Sequence, residues 1–183
     1  MHSLGHRISI EISAGALILG AVLLLMLPIQ WLVAALIAAI THELCHALMT
    51  VVLGGKIESI TIGGRGAVMK ATALTSTKEM IACFAGPVGS LSLLLLARWM
   101  PRTAICGLIH GIYNLLPLFP LDGGRILRSL LHCVLTPPKA NRVFVITQRF
   151  FIVGLSVLLC VIVGKMSFIM FIAVIAIIWL RRR

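Results

Sequence analysis

Long apolar runs constrain this chain more than any other feature of its sequence. Six of them lie between shorter polar stretches, at residues 10–27, 31–53, 81–97, 103–121, 145–164 and 167–180. Only 11% of the 183 residues are charged, whereas soluble domains carry about a quarter. Because lipid offers no partner to an unpaired backbone group, the runs are predicted to be helices. The sequence therefore predicts an all-α polytopic membrane protein with about six transmembrane helices.

The last two runs are separated only by residues 164–166, so they are either two spans or one bent unit. The shortest runs are marginal, because a helix needs about 20 residues to cross the hydrocarbon core.

The basic residues predict the orientation of the chain in the membrane. In a six-span arrangement, thirteen of the 16 Lys and Arg residues fall on one side, and Arg98, Arg102 and Lys165 fall on the other. By the positive-inside rule, both termini of this multi-pass protein are predicted to be cytoplasmic. The net charge of +11 is explained by anionic lipid headgroups, so no nucleic-acid partner is predicted.

The stretch between the second and third runs does not have a helical pattern. Ile60, Thr61 and Ile62 alternate, Gly63–Gly66 has the composition of a turn, and residues 67–72 can form a return strand. A small β-hairpin between the second and third spans is predicted, with an irregular loop as the alternative.

The second apolar run contains the sequence His42-Glu43-Leu44-Cys45-His46. On a helix, residues four apart share a face, so His42 and His46 can bind one metal ion. Glu43 is placed to act as a general base on water. Ionisable groups inside a membrane helix are costly and usually functional. The alternative is that these polar side chains only form hydrogen bonds that pack helices together.

Catalytic zinc usually has three protein ligands and one open position, so a third ligand is expected. Asp122 is the single aspartate of the chain and directly follows the fourth apolar run. Pro117 and Pro120 break helical bonding before it, and Gly123 and Gly124 after it allow close backbone approach. The sequence predicts Asp122 as the third ligand, with a helix N-cap as the alternative. In the six-span topology the site lies in the cytoplasmic half of the bilayer, with access predicted from the cytoplasm.

These motifs together resemble the site-2 protease family of intramembrane zinc metallopeptidases. The resemblance covers about residues 30–130 and rests on the HExxH helix, the Asn-x-x-Pro-x-x-Pro-Leu-Asp-Gly segment at 114–123, and Gly86-Pro87 between them. The chain is most similar to the small bacterial sporulation-type branch, which processes a membrane-tethered pro-sigma factor. The resemblance implies one transmembrane metallopeptidase domain over 1–183, with its core at about 30–130 and no soluble regulatory domain.

Carried over residue by residue, the resemblance implies that His42, His46 and Asp122 bind Zn²⁺ and that Glu43 activates the zinc-bound water. Asn114 resembles the family position that holds substrate or the oxyanion. Ser90 stands where the family usually has asparagine, and it is taken as a second such residue.

The function expected is hydrolysis of a peptide bond in or near a membrane-embedded segment of a regulatory protein. The expected partners are a membrane-tethered protein substrate and the lipid bilayer, with membrane regulatory proteins left open. A zinc transporter or a metal-binding membrane scaffold is the competing hypothesis. A transporter ordinarily needs a train of polar ligands through the bilayer, whereas this chain has one compact cluster.

Overall fold

The computed structural model of the chain describes residues 9–63 and 66–163. Within them, helices dominate, and a small sheet is formed by three strands. The elements in chain order are β1 (Ser9–Ile12), α1 (Ala14–Met26), α2 (Ile29–Val52), β2 (Ile57–Gly63), β3 (Gly66–Ala71), α3 (Ser76–Ser92), α4 (Pro101–Asn114), α5 (Asp122–Val134) and α6 (Pro137–Val163). A 3-10 turn at Leu93–Leu96 extends α3. The sixth apolar run, 167–180, lies outside the described residues.

Three of the described helices are long and apolar enough to cross a membrane: Ile29–Val52, Ser76–Leu96 with its 3-10 extension, and Pro137–Leu158. Helix α1 has 13 residues and α4 has 14. At 1.5 Å per residue each is about 20 Å long, less than the roughly 30 Å of a hydrocarbon core. The mostly helical membrane architecture is confirmed, and the number of six spans stays a prediction.

Helix α2, which contains both histidines of the HExxH motif, is one uninterrupted apolar helix. It begins after Pro28 and ends at Val52, and the N–H of the capping residue Leu53 donates to the carbonyl oxygen of Met49. Gly54 follows with φ of 88°, a left-handed conformation that glycine adopts without steric cost and that commonly ends helices.

The small sheet has the order β1-β2-β3. Strands β2 and β3 form the antiparallel hairpin, with Ile60 opposite Met69, so the prediction of a small hairpin in this fold is confirmed. The structure corrects the start of the first apolar run, because Ser9–Ile12 is a strand parallel to β2 and not part of a helix. The reason is visible in Ser9-Ile10-Glu11-Ile12, which alternates polar and apolar residues with the period of a strand.

Burial in this fold is inverted relative to a soluble protein. Large aliphatic side chains such as Leu17, Leu95 and Val52 are exposed on the outer faces of the helices. The buried side chains are mostly small or polar, including His42 and Ser90. Lipid hydrocarbon is as apolar as leucine, so a membrane protein gains little by hiding aliphatic groups and instead uses small and polar residues between its helices.

Small residues bring α2, α3 and α4 close together. A Cβ on Gly89 of α3 would collide with Cys45 Sγ on α2, and a Cβ on Gly107 of α4 would lie 2.5 Å from the carbonyl oxygen of Ser90. Helix α5 packs against α3 as well. The interior where these four helices meet contains the polar side chains described next.

Candidate metal centre

One face of α2 is buried from Ala34 to Thr50. The buried positions are Ala34, Ala38, His42, His46 and Thr50, which recur every four residues and therefore form one stripe. The two histidines are only 2% and 7% exposed. Their rings meet edge to face, with centroids 4.6 Å apart.

Asp122 reaches this stripe from another part of the chain. Helix α4 ends at Asn114, an irregular segment at residues 115–121 follows, and Asp122 is the first residue of α5. Its Oδ2 lies 2.8 Å from Nε2 of His42 and 3.0 Å from Nε2 of His46. The N-cap of α5 is Leu121, without a side-chain capping bond, so the structure does not adopt the alternative in which Asp122 caps the helix.

Helix α3 holds the opposite side of each imidazole. Nδ1–H of His46 donates to the carbonyl oxygen of Ala82 at 2.7 Å, and Nδ1 of His42 lies 2.9 Å from Oγ of Ser90. Metal-binding histidines characteristically use their second ring nitrogen in this way, which fixes the ring orientation. Both rings therefore turn Nε2 toward Asp122.

The contacts among the three donor atoms fit a cation. A carbonyl oxygen only accepts, so in neutral His46 the hydrogen is on Nδ1 and Nε2 presents a lone pair. That lone pair faces a carboxylate oxygen at 3.0 Å and the other Nε2 at 3.1 Å. Two acceptors at this distance repel each other unless a proton or a metal ion lies between them.

The size of the cluster also suits zinc. Ligand bonds of about 2.0–2.1 Å in tetrahedral geometry place donor atoms about 3.3 Å apart. The three separations here are 2.8, 3.0 and 3.1 Å, so movements of a few tenths of an ångström accommodate the ion. Within the described residues, these three side chains form the one group of at least three metal-binding donors. Two imidazoles and one carboxylate leave the fourth position free.

Glu43 is half-buried on α2, one residue from His42. Its place beside the first histidine is the one that the motif predicts for a general base.

Asn114 is not joined to the cluster by a hydrogen bond. Its Nδ2 donates to the carbonyl oxygen of His110 one turn earlier in α4, at 3.0 Å. The imidazole of His110 contacts that of His42 edge to face, with centroids 4.6 Å apart. The predicted contact of Asn114 with substrate or the oxyanion stays a prediction. The motifs gave no signal for the contact between His110 and His42, because His110 belongs to none of them.

Ser90 is completely buried, and its hydroxyl lies against the ring of His42. The hydroxyl of Ser90 therefore orients a histidine in this structure. Its predicted contact with substrate stays a prediction.

Comparisons with known proteins agree with this arrangement. Residues 76–159 match Peptidase family M50. Rip3 of Mycobacterium tuberculosis, named as a candidate zinc metalloprotease, is 32% identical over 131 residues, which cover 56% of this chain and 33% of Rip3. Zinc metalloprotease MJ0392 of Methanocaldococcus jannaschii is 30% identical over 109 residues, which cover 52% of this chain and 32% of the relative.

The solved structure of the site-2 protease from Methanocaldococcus jannaschii has the same fold. It superposes with a TM-score of 0.64 over 98% of this chain and 91% of that chain, at 22% sequence identity. The chain spans about a third of the length of the curated relatives it matches.

Proposed function

We propose that the chain is a zinc metalloendopeptidase of Peptidase family M50, which residues 76–159 match, and that it hydrolyses a peptide bond in or near a membrane-embedded segment of a regulatory protein. The observation that carries the proposal is the convergence of His42, His46 and Asp122 on one point, inside a bundle whose outer faces are aliphatic. A buried cluster of this kind at membrane depth is costly unless it is used.

His42, His46 and Asp122 are proposed to hold the zinc ion. When bound, zinc polarises the scissile carbonyl and stabilises the negative charge that develops on its oxygen. Glu43 takes a proton from the attacking water and later delivers a proton to the leaving amine nitrogen. Asn114 is proposed to hold the substrate or the oxyanion, because it ends α4 directly before the irregular segment that leads to Asp122.

A membrane-tethered pro-sigma factor is the proposed substrate, in keeping with the small sporulation-type branch that the motifs resemble. Access from the cytoplasm is proposed from the excess of Lys and Arg on one side of a six-span topology. Release of the substrate's regulatory domain on that side would follow from the cleavage.

The experiment is co-expression of a candidate membrane-tethered pro-sigma factor with wild type, Glu43→Gln or Asp122→Ala, with zinc measured in each purified protein. Wild type is expected to cleave. Glu43→Gln is expected to lose cleavage by at least a hundredfold while keeping zinc, since it removes the base but no ligand. Asp122→Ala is expected to lose both cleavage and most of its zinc.

Equal cleavage by the three proteins would overturn the proposed site. A zinc transporter would instead be favoured if Glu43→Gln still transported zinc across the membrane and no membrane-tethered substrate were cleaved.

A further inference from the structure

The segment at residues 115–121, between α4 and α5, is not helical, yet it must place Asp122 to within a few tenths of an ångström. Backbone groups away from water need partners. Pro117 and Pro120 have no N–H, so five N–H groups remain. Four of these N–H groups donate to backbone carbonyl oxygens within residues 111–118. They belong to Leu115, Leu116, Leu118 and Leu121. The fifth belongs to Phe119, and its acceptor comes from a different helix.

That acceptor is the side chain of Gln148 on α6. The N–H of Phe119 donates to Gln148 Oε1 at 2.7 Å, and Gln148 Nε2 donates to the carbonyl oxygen of Pro117 at 2.6 Å. In a parallel sheet, one residue donates to the carbonyl of residue i and accepts from the N–H of residue i+2. The single carboxamide of Gln148 makes this same pair of contacts, so both its donor and its acceptor are used on the segment.

Two glycines hold the segment from the α5 side. A Cβ on Gly123 would collide with the carbonyl oxygen of Leu115, and a Cβ on Gly124 would lie 2.5 Å from the backbone nitrogen of Phe119. The backbone of the segment therefore lies directly on the first turn of α5. The segment has no room to move toward α5. Any other displacement of its backbone would break the two hydrogen bonds to Gln148.

We infer that Gln148 is a positioning residue for the metal centre: by fixing the backbone of Pro117 and Phe119, it holds Asp122 in register with His42 and His46. The inference deepens the proposed function and rests on its assignment of Asp122 as a ligand. The two hydrogen bonds of Gln148 go to the backbone of Pro117 and Phe119, so Gln148 acts on the metal centre through the position of Asp122, and its effect is on the affinity for zinc. Groups that orient metal ligands typically change metal affinity by about 10–100-fold when removed.

The test measures two quantities on purified protein in detergent: the zinc dissociation constant by competition with a chelator, and the thermal midpoint of the zinc-free protein. The variants are Gln148→Leu, which removes both hydrogen bonds, and Gln148→Asn, which keeps a carboxamide on α6 but withdraws it by one methylene. The matched control is Asn141→Leu, since Asn141 is another carboxamide of α6 and contacts His132 near the far end of α5.

Both Gln148 variants are expected to weaken zinc binding by about tenfold or more, and the Asn141 variant by less than about twofold. Zinc affinity equal to wild type in Gln148→Leu and Gln148→Asn would overturn the inference, as would a lower thermal midpoint without any change in zinc affinity, which is the result of a merely structural role. The proposed function fails separately: a wild type that binds zinc and cleaves nothing would overturn proteolysis while the two Gln148 variants still decide the positioning role.

Discussion

Each histidine of α2 is held by α3 on one ring nitrogen and directs the other toward Asp122. The two hydrogen bonds have different kinds of partner. His46 donates to the backbone carbonyl oxygen of Ala82, which is present whatever side chain stands at position 82. His42 instead depends on a side-chain hydroxyl, that of Ser90. Since Ser90 is completely buried, water does not readily replace its hydroxyl.

Replacement of Ser90 by Ala is therefore expected to weaken zinc binding by about 10–100-fold, because the ring of His42 loses the partner that orients it. The matched control is Ser92→Ala, whose hydroxyl donates only to the carbonyl oxygen of Gly89 in its own helix. Chelator competition on both purified variants measures the effect. Equal zinc affinity in Ser90→Ala and wild type would contradict a role in orienting His42.

At the residue scale, the sequence predicted which residues form the cluster, but not the hydrogen bonds that hold them in position. The i, i+4 spacing of His42 and His46 dictates a shared face on any helix, and Asp122 is the single aspartate, so the convergence was open to prediction. The contact between Gln148 and Phe119 was not, because a hydrogen bond across 29 residues leaves no local pattern in the sequence. The same holds for the hydroxyl of Ser90 against His42.

At the scale of elements, the centre depends on how closely α3 approaches α2. Gly86 lies on the ring of His46, where a Cβ would collide with Nε2 and would come within 2.6 Å of Cδ2. The glycine of the Gly86-Pro87 motif thus leaves the space that the imidazole fills. The side chain that packs against this glycine is therefore a candidate metal ligand.

Replacement of Gly86 by Ala is expected to displace His46 or separate the helices, with a destabilisation of about 1–3 kcal/mol and a loss of zinc affinity of at least tenfold. The control is Gly20→Ala in α1, since a Cβ there would meet nothing within 4 Å and alanine favours helix. Thermal unfolding and zinc competition on both variants check this. The contact between Gly86 and His46 would be contradicted if Gly86→Ala had the same thermal stability and the same zinc affinity as Gly20→Ala.

Helix boundaries were predicted less well than helix existence. Apolar composition indicates lipid contact but not backbone conformation, so the first run includes residues 10–12, although their alternation with Ser9 indicates a strand. The fourth run stays apolar to residue 121, whereas α4 ends at Asn114, in agreement with the break in helical bonding predicted before Asp122. The prolines at 117 and 120 indicated the break, and the helix stops before the first of them because proline disfavours helical conformation in the residue it follows.

On the scale of the whole molecule, aliphatic outer faces and a polar interior suit a bilayer. The orientation of the chain in the bilayer is predicted from the distribution of charge along the sequence. The prediction of a single transmembrane domain likewise rests on the sequence.

Both termini are expected in the cytoplasm, because thirteen of the 16 Lys and Arg residues then lie on that side. Fusions of a reporter that is active only in the cytoplasm to residue 1 and to residue 183 check this, with the same reporter inserted near Arg98 as the matched control. Activity at both ends and none at Arg98 is the predicted result. Termini on opposite sides would require an odd number of spans and would contradict the six-span arrangement.

The most direct measurement of the central claim is the zinc content of purified wild type, His42→Ala, His46→Ala, Asp122→Ala and Glu43→Gln. We expect one zinc per chain in wild type and in Glu43→Gln, and a substantial loss in each of the three ligand variants, since every one of them removes a donor from a three-donor site. Undiminished zinc in the ligand variants, or zinc lost from Glu43→Gln as completely as from them, would contradict the assignment of His42, His46 and Asp122 as ligands and Glu43 as the base.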